Sequence, residues 1–196
     1  MLGHVVVTYM LTVLRAASGT PFEDDPRYLK NHRASEFLSV YEVLFVKLQS
    51  RNPILYPYTV CQAMELVDLI GENVYSFRMY VIDPRTRTQD ITTFYTMLTA
   101  SITAPHRHPN ILSYQTIKDG VHTPFKVMYA DWATGCFILT FSQGSFGKGC
   151  RLLQTASTVG GAIPPICMDV FLENCPRKFM EIFDPMCFFP IISTRL

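Results

Sequence analysis

The sequence predicts a mainly β chain, with eight antiparallel strands preceded by one helix and followed by another. Three observations carry that expectation. Short β-type segments recur at hairpin spacing, turn residues punctuate them, and the hydrophobic period becomes helical after Pro164-Pro165. Eight antiparallel strands close into a barrel just wide enough for one small ligand, although a sandwich satisfies the same count.

The elements follow in order. Asp25 offers an N-cap and Pro26 suits a first helical turn, so 27–38, with Tyr28, Leu29, Ala34, Phe37 and Leu38, reads as a helix. The strands are expected at 40–48, 58–66, 74–82, 88–103, 111–117, 122–130, 136–142 and 150–155. Arg51-Asn52-Pro53, Gly71-Glu72-Asn73, Asp83-Pro84 and Lys118-Asp119-Gly120 are the turn signals between them. Gly144, Gly147 and Gly149 mark a long hairpin loop before the last strand. Cys167, Val170, Phe171 and Cys175 recur at helical spacing, and an extended piece at 179–183 then leads to Cys187.

Composition narrows the function. At 196 residues one domain is expected, with 48% hydrophobic and only 17% charged residues, a composition too apolar for disorder. A formal net charge of +1 gives no electrostatic footprint for nucleic acid or an anionic membrane. Residues 1–19 hold a short apolar run followed by Ala16-Ala17-Ser18-Gly19, which reads as a signal peptide, so residues 20–196 form the expected mature domain. All six cysteines, Cys61, Cys136, Cys150, Cys167, Cys175 and Cys187, lie downstream of it, as in an extracellular, disulfide-bonded protein. Their spacing lacks the close pairs of a zinc site, and pattern alone leaves the connectivity open. Neither a Gly-x-Ser-x-Gly element nor a His-Glu-x-x-His motif is present, and the glycines around Lys148 lack Walker spacing, so an enzyme is not expected. No metal or other cofactor is implied. His106-Arg107-His108, flanked by prolines, reads as an exposed loop.

Several segments together carry a resemblance. These are Cys136-Phe137-Ile138-Leu139, Cys150-Arg151-Leu152-Leu153, Ile163-Pro164-Pro165-Ile166-Cys167, Asn174-Cys175 and Phe183-Asp184-Pro185-Met186-Cys187. With Asp25-Pro26-Arg27-Tyr28, Phe37-Leu38 and Asn52-Pro53 upstream, the chain resembles the tick histamine-binding lipocalins over residues 24–187. The resemblance implies an eight-stranded antiparallel lipocalin barrel with a helix closing one end and another packed outside. It also implies bridges Cys61–Cys187 and Cys136–Cys167, with Cys150–Cys175 as the remaining pair. In function it implies a secreted salivary protein, acting as a monomer, that sequesters histamine or another biogenic amine and so counters host defence. An interaction protein that inhibits a host protein through its loops is the alternative.

The local residues depart from the amine-binding pattern. Acidic side chains hold the ammonium in that family; at the corresponding positions this chain has Phe137, Arg151 and Asn52. Asp68, Asp90 or Asp131 would have to substitute. Strand alternation places Phe137 and Leu139 on one face, Arg151 and Leu153 on its neighbour, and Phe125, Val127 and Tyr129 on the strand before. If that face is the interior, the lining is hydrocarbon around one cation, which suits a lipid carboxylate such as a fatty acid or eicosanoid. The plainer alternative has Arg151 reaching out to the barrel rim.

Overall fold

The computed structural model describes residues 19–194 except 52–54, 56–58, 83–89 and 143–146, so all but the last residue of the expected signal peptide, and Asn52, lie outside the described residues. The strands are β1 (Leu44–Ser50), β2 (Ala63–Gly71), β3 (Val74–Ile82), β4 (Ile91–Ser101), β5 (Ile111–Gln115), β6 (His122–Asp131), β7 (Cys136–Ser142), β8 (Lys148–Thr155) and β9 (Phe179–Glu181). Each pairs antiparallel with the next from β2 to β8. β8 then pairs with β1 and β1 with β2, which closes an eight-stranded barrel. This settles the barrel against the sandwich. β1 is shared along its length: Leu44 and Phe45 pair with β2, while Leu48, Gln49 and Ser50 pair with the short β9.

Alternation sorts the side chains into an inside and an outside. On β7, Phe137, Leu139 and Phe141 join the interior cluster, and Cys136 and Ile138 join an outer one. The outer cluster is covered by α2 (Pro165–Asn174), whose Cys167 and Phe171 dock on it. Pro164 and Pro165 open this helix, where a missing N–H costs nothing. A third cluster gathers Val43, Phe45, Tyr80, Phe183 and Ile191 around α3 (Phe188–Ser193).

The expected helix at 27–38 is two pieces, a 3-10 turn at Pro26–Asn31 and α1 (Ala34–Leu38). Asp25 caps the first, its Oδ1 accepting from Arg27 N at 2.9 Å. The break follows from tertiary contacts overriding helical periodicity: His32 is drawn fully under the surface, and Ala34 N donates to Pro109 O at 2.8 Å instead of continuing the first helix. α1 then turns Ala34 and Phe37 into the interior, so it closes one end of the barrel. Two ion pairs strap the preceding segment to the wall, Lys126 Nζ to Asp24 Oδ2 at 2.6 Å and Lys148 Nζ to Glu23 Oε2 at 2.8 Å.

Three disulfides are formed, in the pairing the resemblance implies: Cys61–Cys187, Cys136–Cys167 and Cys150–Cys175, with Cα separations of 5.1, 6.5 and 5.9 Å. Two of them fasten α2 and the turn after it to the outer faces of β7 and β8. The third ties the entry to β2 to the C-terminal segment.

Candidate functional site

The interior is the first candidate site. Phe125, Val127, Phe137, Leu139 and Leu153 are all fully buried in the interior cluster. Tyr129 is a correction: it lies in the outer cluster beside Met128 and Ile138. The register runs Val127 to Leu139 and then Tyr129 to Ile138, so Met128 is an extra residue in a β-bulge that reverses the alternation. Ala130, opposite Phe137, takes the inward position instead.

Arg151 sits inside, opposite Leu139 on β7 and Gln49 on β1, and is only 2% exposed. It does not reach the rim. Its guanidinium lies over the Phe125 ring at 5.7 Å from the centroid, and Nη2 donates to Gln62 Oε1 at 3.1 Å. Phe125 in turn stacks on Tyr114 at 4.9 Å and meets Phe141 edge-on at 6.0 Å. Burial works against the charged form of Arg151, and the neighbouring Tyr114 works for it. A guanidinium keeps its charge in such surroundings because its starting affinity for the proton is so high.

No described carboxylate pairs with this cation. Arg151 Nε and the Tyr114 hydroxyl are both buried without a hydrogen-bond partner among the described residues. Asp68 and Asp90 are exposed. Asp131 is spent on its own turn, accepting from Ala133 N and Thr134 N at 3.1 and 3.3 Å. The buried carboxylates are engaged elsewhere: Glu65 with Tyr80 and Arg78, Glu23 with Lys148, Asp25 with Arg27. Among the described residues, then, the interior presents one buried positive charge in a hydrocarbon and aromatic lining, with spare hydrogen-bonding capacity beside it. Such a constellation recognises an anion.

Sequence reading missed Tyr114, Gln62 and Gln49. Tyr114 alternates with the interior Leu112, which is a usable signal; Gln62 and Gln49 gave none, because polar residues on a strand are first assigned to its wet face.

A second polar cluster lies where the loop 102–110 meets the N-terminal segment. The expected exposed loop holds for Arg107 and His108, but His106 is half-buried and contacts His32, with Nε2 3.2 Å from His32 Nδ1. Burial and the adjacent His106 bring the His32 pKa down to about 4, against the opposing pull of Asp24 and Asp25. His32 is therefore neutral in the fold, while an unfolded chain takes up its proton near the ordinary histidine value of 6.5. The unfolded state binds more protons in that window, so this contribution is complete above about pH 6.5 and is lost as the pH falls towards 4. With solvent screening allowed for, about 1–2 kcal/mol disappears. Denaturant unfolding followed across that range should show the loss, and His32→Gln should flatten it.

A closed eight-stranded barrel, plugged at one end by a short helix and flanked outside by a disulfide-tethered one, is the architecture of a lipocalin. The description "Tick histamine binding protein" belongs to the family model that matches residues 23–188, and the chain belongs to that family. No curated protein matches it by sequence. Among solved structures it is similar to Japanin from Rhipicephalus appendiculatus bound to cholesterol, at 15% identity and a TM-score of 0.56, covering 76% of this chain and 97% of that one. It is also similar to AM182 in a serotonin complex, at 11% identity and TM-score 0.56, covering 80% and 92%. Apocrustacyanin C2 matches at 11% identity and TM-score 0.59, covering 88% and 92%. At these identities the likenesses speak for the fold.

Proposed function

We propose that this chain is a secreted binder that captures one small molecule with an apolar body and a carboxylate, a fatty acid or an eicosanoid, inside the barrel. By stoichiometric capture it lowers the free concentration of a host mediator, without turnover. The observation that carries this reading is Arg151: a cation buried to 2% exposure, with no described carboxylate to pair it. Burying such a charge costs several kcal/mol unless something anionic meets it. A carboxylate accepting from Arg151 Nε and the Tyr114 hydroxyl would supply that partner, and its hydrocarbon tail would lie among Phe125, Val127, Leu139 and Leu153.

Histamine, the family's namesake ligand, would bring a second positive charge into a site where no described carboxylate awaits it. Three disulfides support a secreted protein. Phe37 of α1 packs against Phe77 and Phe137 at 6.2 and 5.5 Å, so the guest enters by displacing this five-residue helix.

Parallel calorimetric titrations of the oxidised protein with arachidonate, histamine and serotonin test the reading. The expected result is one-to-one binding of arachidonate and none of either amine. Tight amine binding without arachidonate would overturn it.

The packed interior favours a second reading. Rings fill the space inside, and clefts of about 270 to 600 Å³ open between outer elements. On this reading the barrel is a scaffold whose loops, that at 105–109 among them, engage a host protein. Native mass spectrometry of the secreted protein separates the two, since a retained small molecule belongs only to capture.

A further inference from the structure

Away from the interior, a cleft of about 400 Å³ opens between the 3-10 turn Pro26–Asn31 and the loop 102–110. Lys30, Arg33 and Arg107 line it, all exposed, together with His32, His106 and His108. No acidic side chain is among the lining residues. Of the acids flanking this stretch, Glu23, Asp24 and Asp25 are committed to Lys148, Lys126 and Arg27, and Glu36 on α1 is not among the lining residues. None of Lys30, Arg33 and Arg107 forms an ion pair with a described residue. On a chain of formal net charge +1, this is a local segregation of positive charge rather than a share of a basic surface. A concave wall concentrates the field of such charges, and guanidinium forks match the oxygens of a phosphoryl group.

The imidazoles add a directed element. His106 Nδ1 lies 3.1 Å from Thr103 O, which only accepts, so Nδ1 carries the hydrogen and Nε2 accepts. His32 Nδ1–H is then the donor to His106 Nε2, and His32 Nε2 is left as a bare lone pair, buried and without a partner among the described residues. His32 is 0% exposed, and its ring belongs to the cleft lining. Among the described residues the cleft therefore combines three cations outside any ion pair with an imidazole lone pair able to accept from a protonated phosphoryl hydroxyl, while Pro26, Leu29 and Pro105 supply an apolar wall.

We propose that this cleft is a second, independent binding site, one that takes a small free molecule carrying a phosphate or diphosphate group. Arg33 and Arg107 grip the phosphoryl oxygens, Lys30 adds a point charge, and the apolar wall receives the body to which the phosphate is attached. The site shares no lining residue with the barrel interior, so it stands whether or not the interior captures a carboxylate.

Calorimetric titration with inorganic pyrophosphate, accompanied by NMR of the histidine ring protons, tests it. Saturable binding that shifts the His32 and His106 signals is expected, and Arg33→Ala/Arg107→Ala should weaken it at least tenfold. Both side chains are exposed, so the variant keeps the fold, which circular dichroism and an unchanged unfolding midpoint verify. A parallel arm uses phosphatidylcholine vesicles doped with phosphatidic acid. Binding to vesicles without binding to free pyrophosphate would overturn the proposal. So would pyrophosphate binding of equal strength in the double variant, or no binding at all.

Discussion

Arg151→Met makes the empty barrel more stable and deprives it of its hold on a fatty carboxylate. The two effects have one cause. The guanidinium is buried to 2% exposure, and its Nε and the Tyr114 hydroxyl lack partners among the described residues. Its compensation is the Phe125 face, the neighbouring Tyr114 and one hydrogen bond to Gln62. Replacing buried ionic groups by a hydrophobe of similar volume is neutral or stabilising by about 1–4 kcal/mol. Methionine is flexible enough to fill the space without strain. A bound carboxylate, in contrast, loses its only described counter-charge, and arachidonate affinity is expected to fall by about 2–5 kcal/mol. Thermal unfolding reads the first effect and calorimetry the second. A variant that is more stable yet binds arachidonate as well as the parent would remove Arg151 from the site. A variant that loses stability would mean that the arginine serves the fold instead.

The second large effect concerns the disulfides. Opening Cys61–Cys187 by Cys61→Ala/Cys187→Ala should cost about 5 kcal/mol in the chain-entropy model, because the bridge closes a loop of 126 residues. Opening Cys150–Cys175, a separation of 25, should cost about 3.5 kcal/mol by the same account. The order matters more than the values. Cys61 stands at the entry to β2, and Cys187 belongs to the turn leading into α3. The bridge thus spans the seam where β2 and β9 divide β1 between them, and its loss loosens closure as well as lengthening the unfolded chain. Denaturant unfolding of the two double variants checks the ranking. A smaller loss at Cys61–Cys187 than at Cys150–Cys175 would contradict it.

Much of this architecture was legible because it follows from local rules. Residues 136–142 read as one β-type run, and β7 has those bounds; Asp119 and Gly120 mark a turn, and β5 and β6 pair on either side of it. The interior positions of Phe137, Leu139, Arg151 and Leu153 follow from the same alternation once Cys136 and Cys150 are turned outward to α2. What escaped depends on contacts distant in sequence. The helix expected at 27–38 is interrupted because His32 is claimed by His106, 74 residues away. The expected β2 at 58–66 starts instead at Ala63, and β1 starts at Leu44 rather than 40, because pairing partners and not propensity decide where a strand begins. α3 is six residues with Pro190 among them, too short for a helical period to show. At the site, Arg151 was readable from position, whereas the burial that gives it meaning required the closed barrel around it.

Met128 has a further consequence. Because the ladder spends two residues of β6 on one step of β7, the two halves of that strand are out of phase. From His122 to Val127 the side chains facing inward sit at odd numbers; beyond the bulge the even-numbered Ala130 does so. Loss of one residue there would straighten the ladder, with Tyr129 still opposite Ile138 on the outer face and Ala130 still opposite Phe137 inside. Divergent descendants of this gene can therefore lose a single codon at this point and keep the same side chains facing the chamber at both ends.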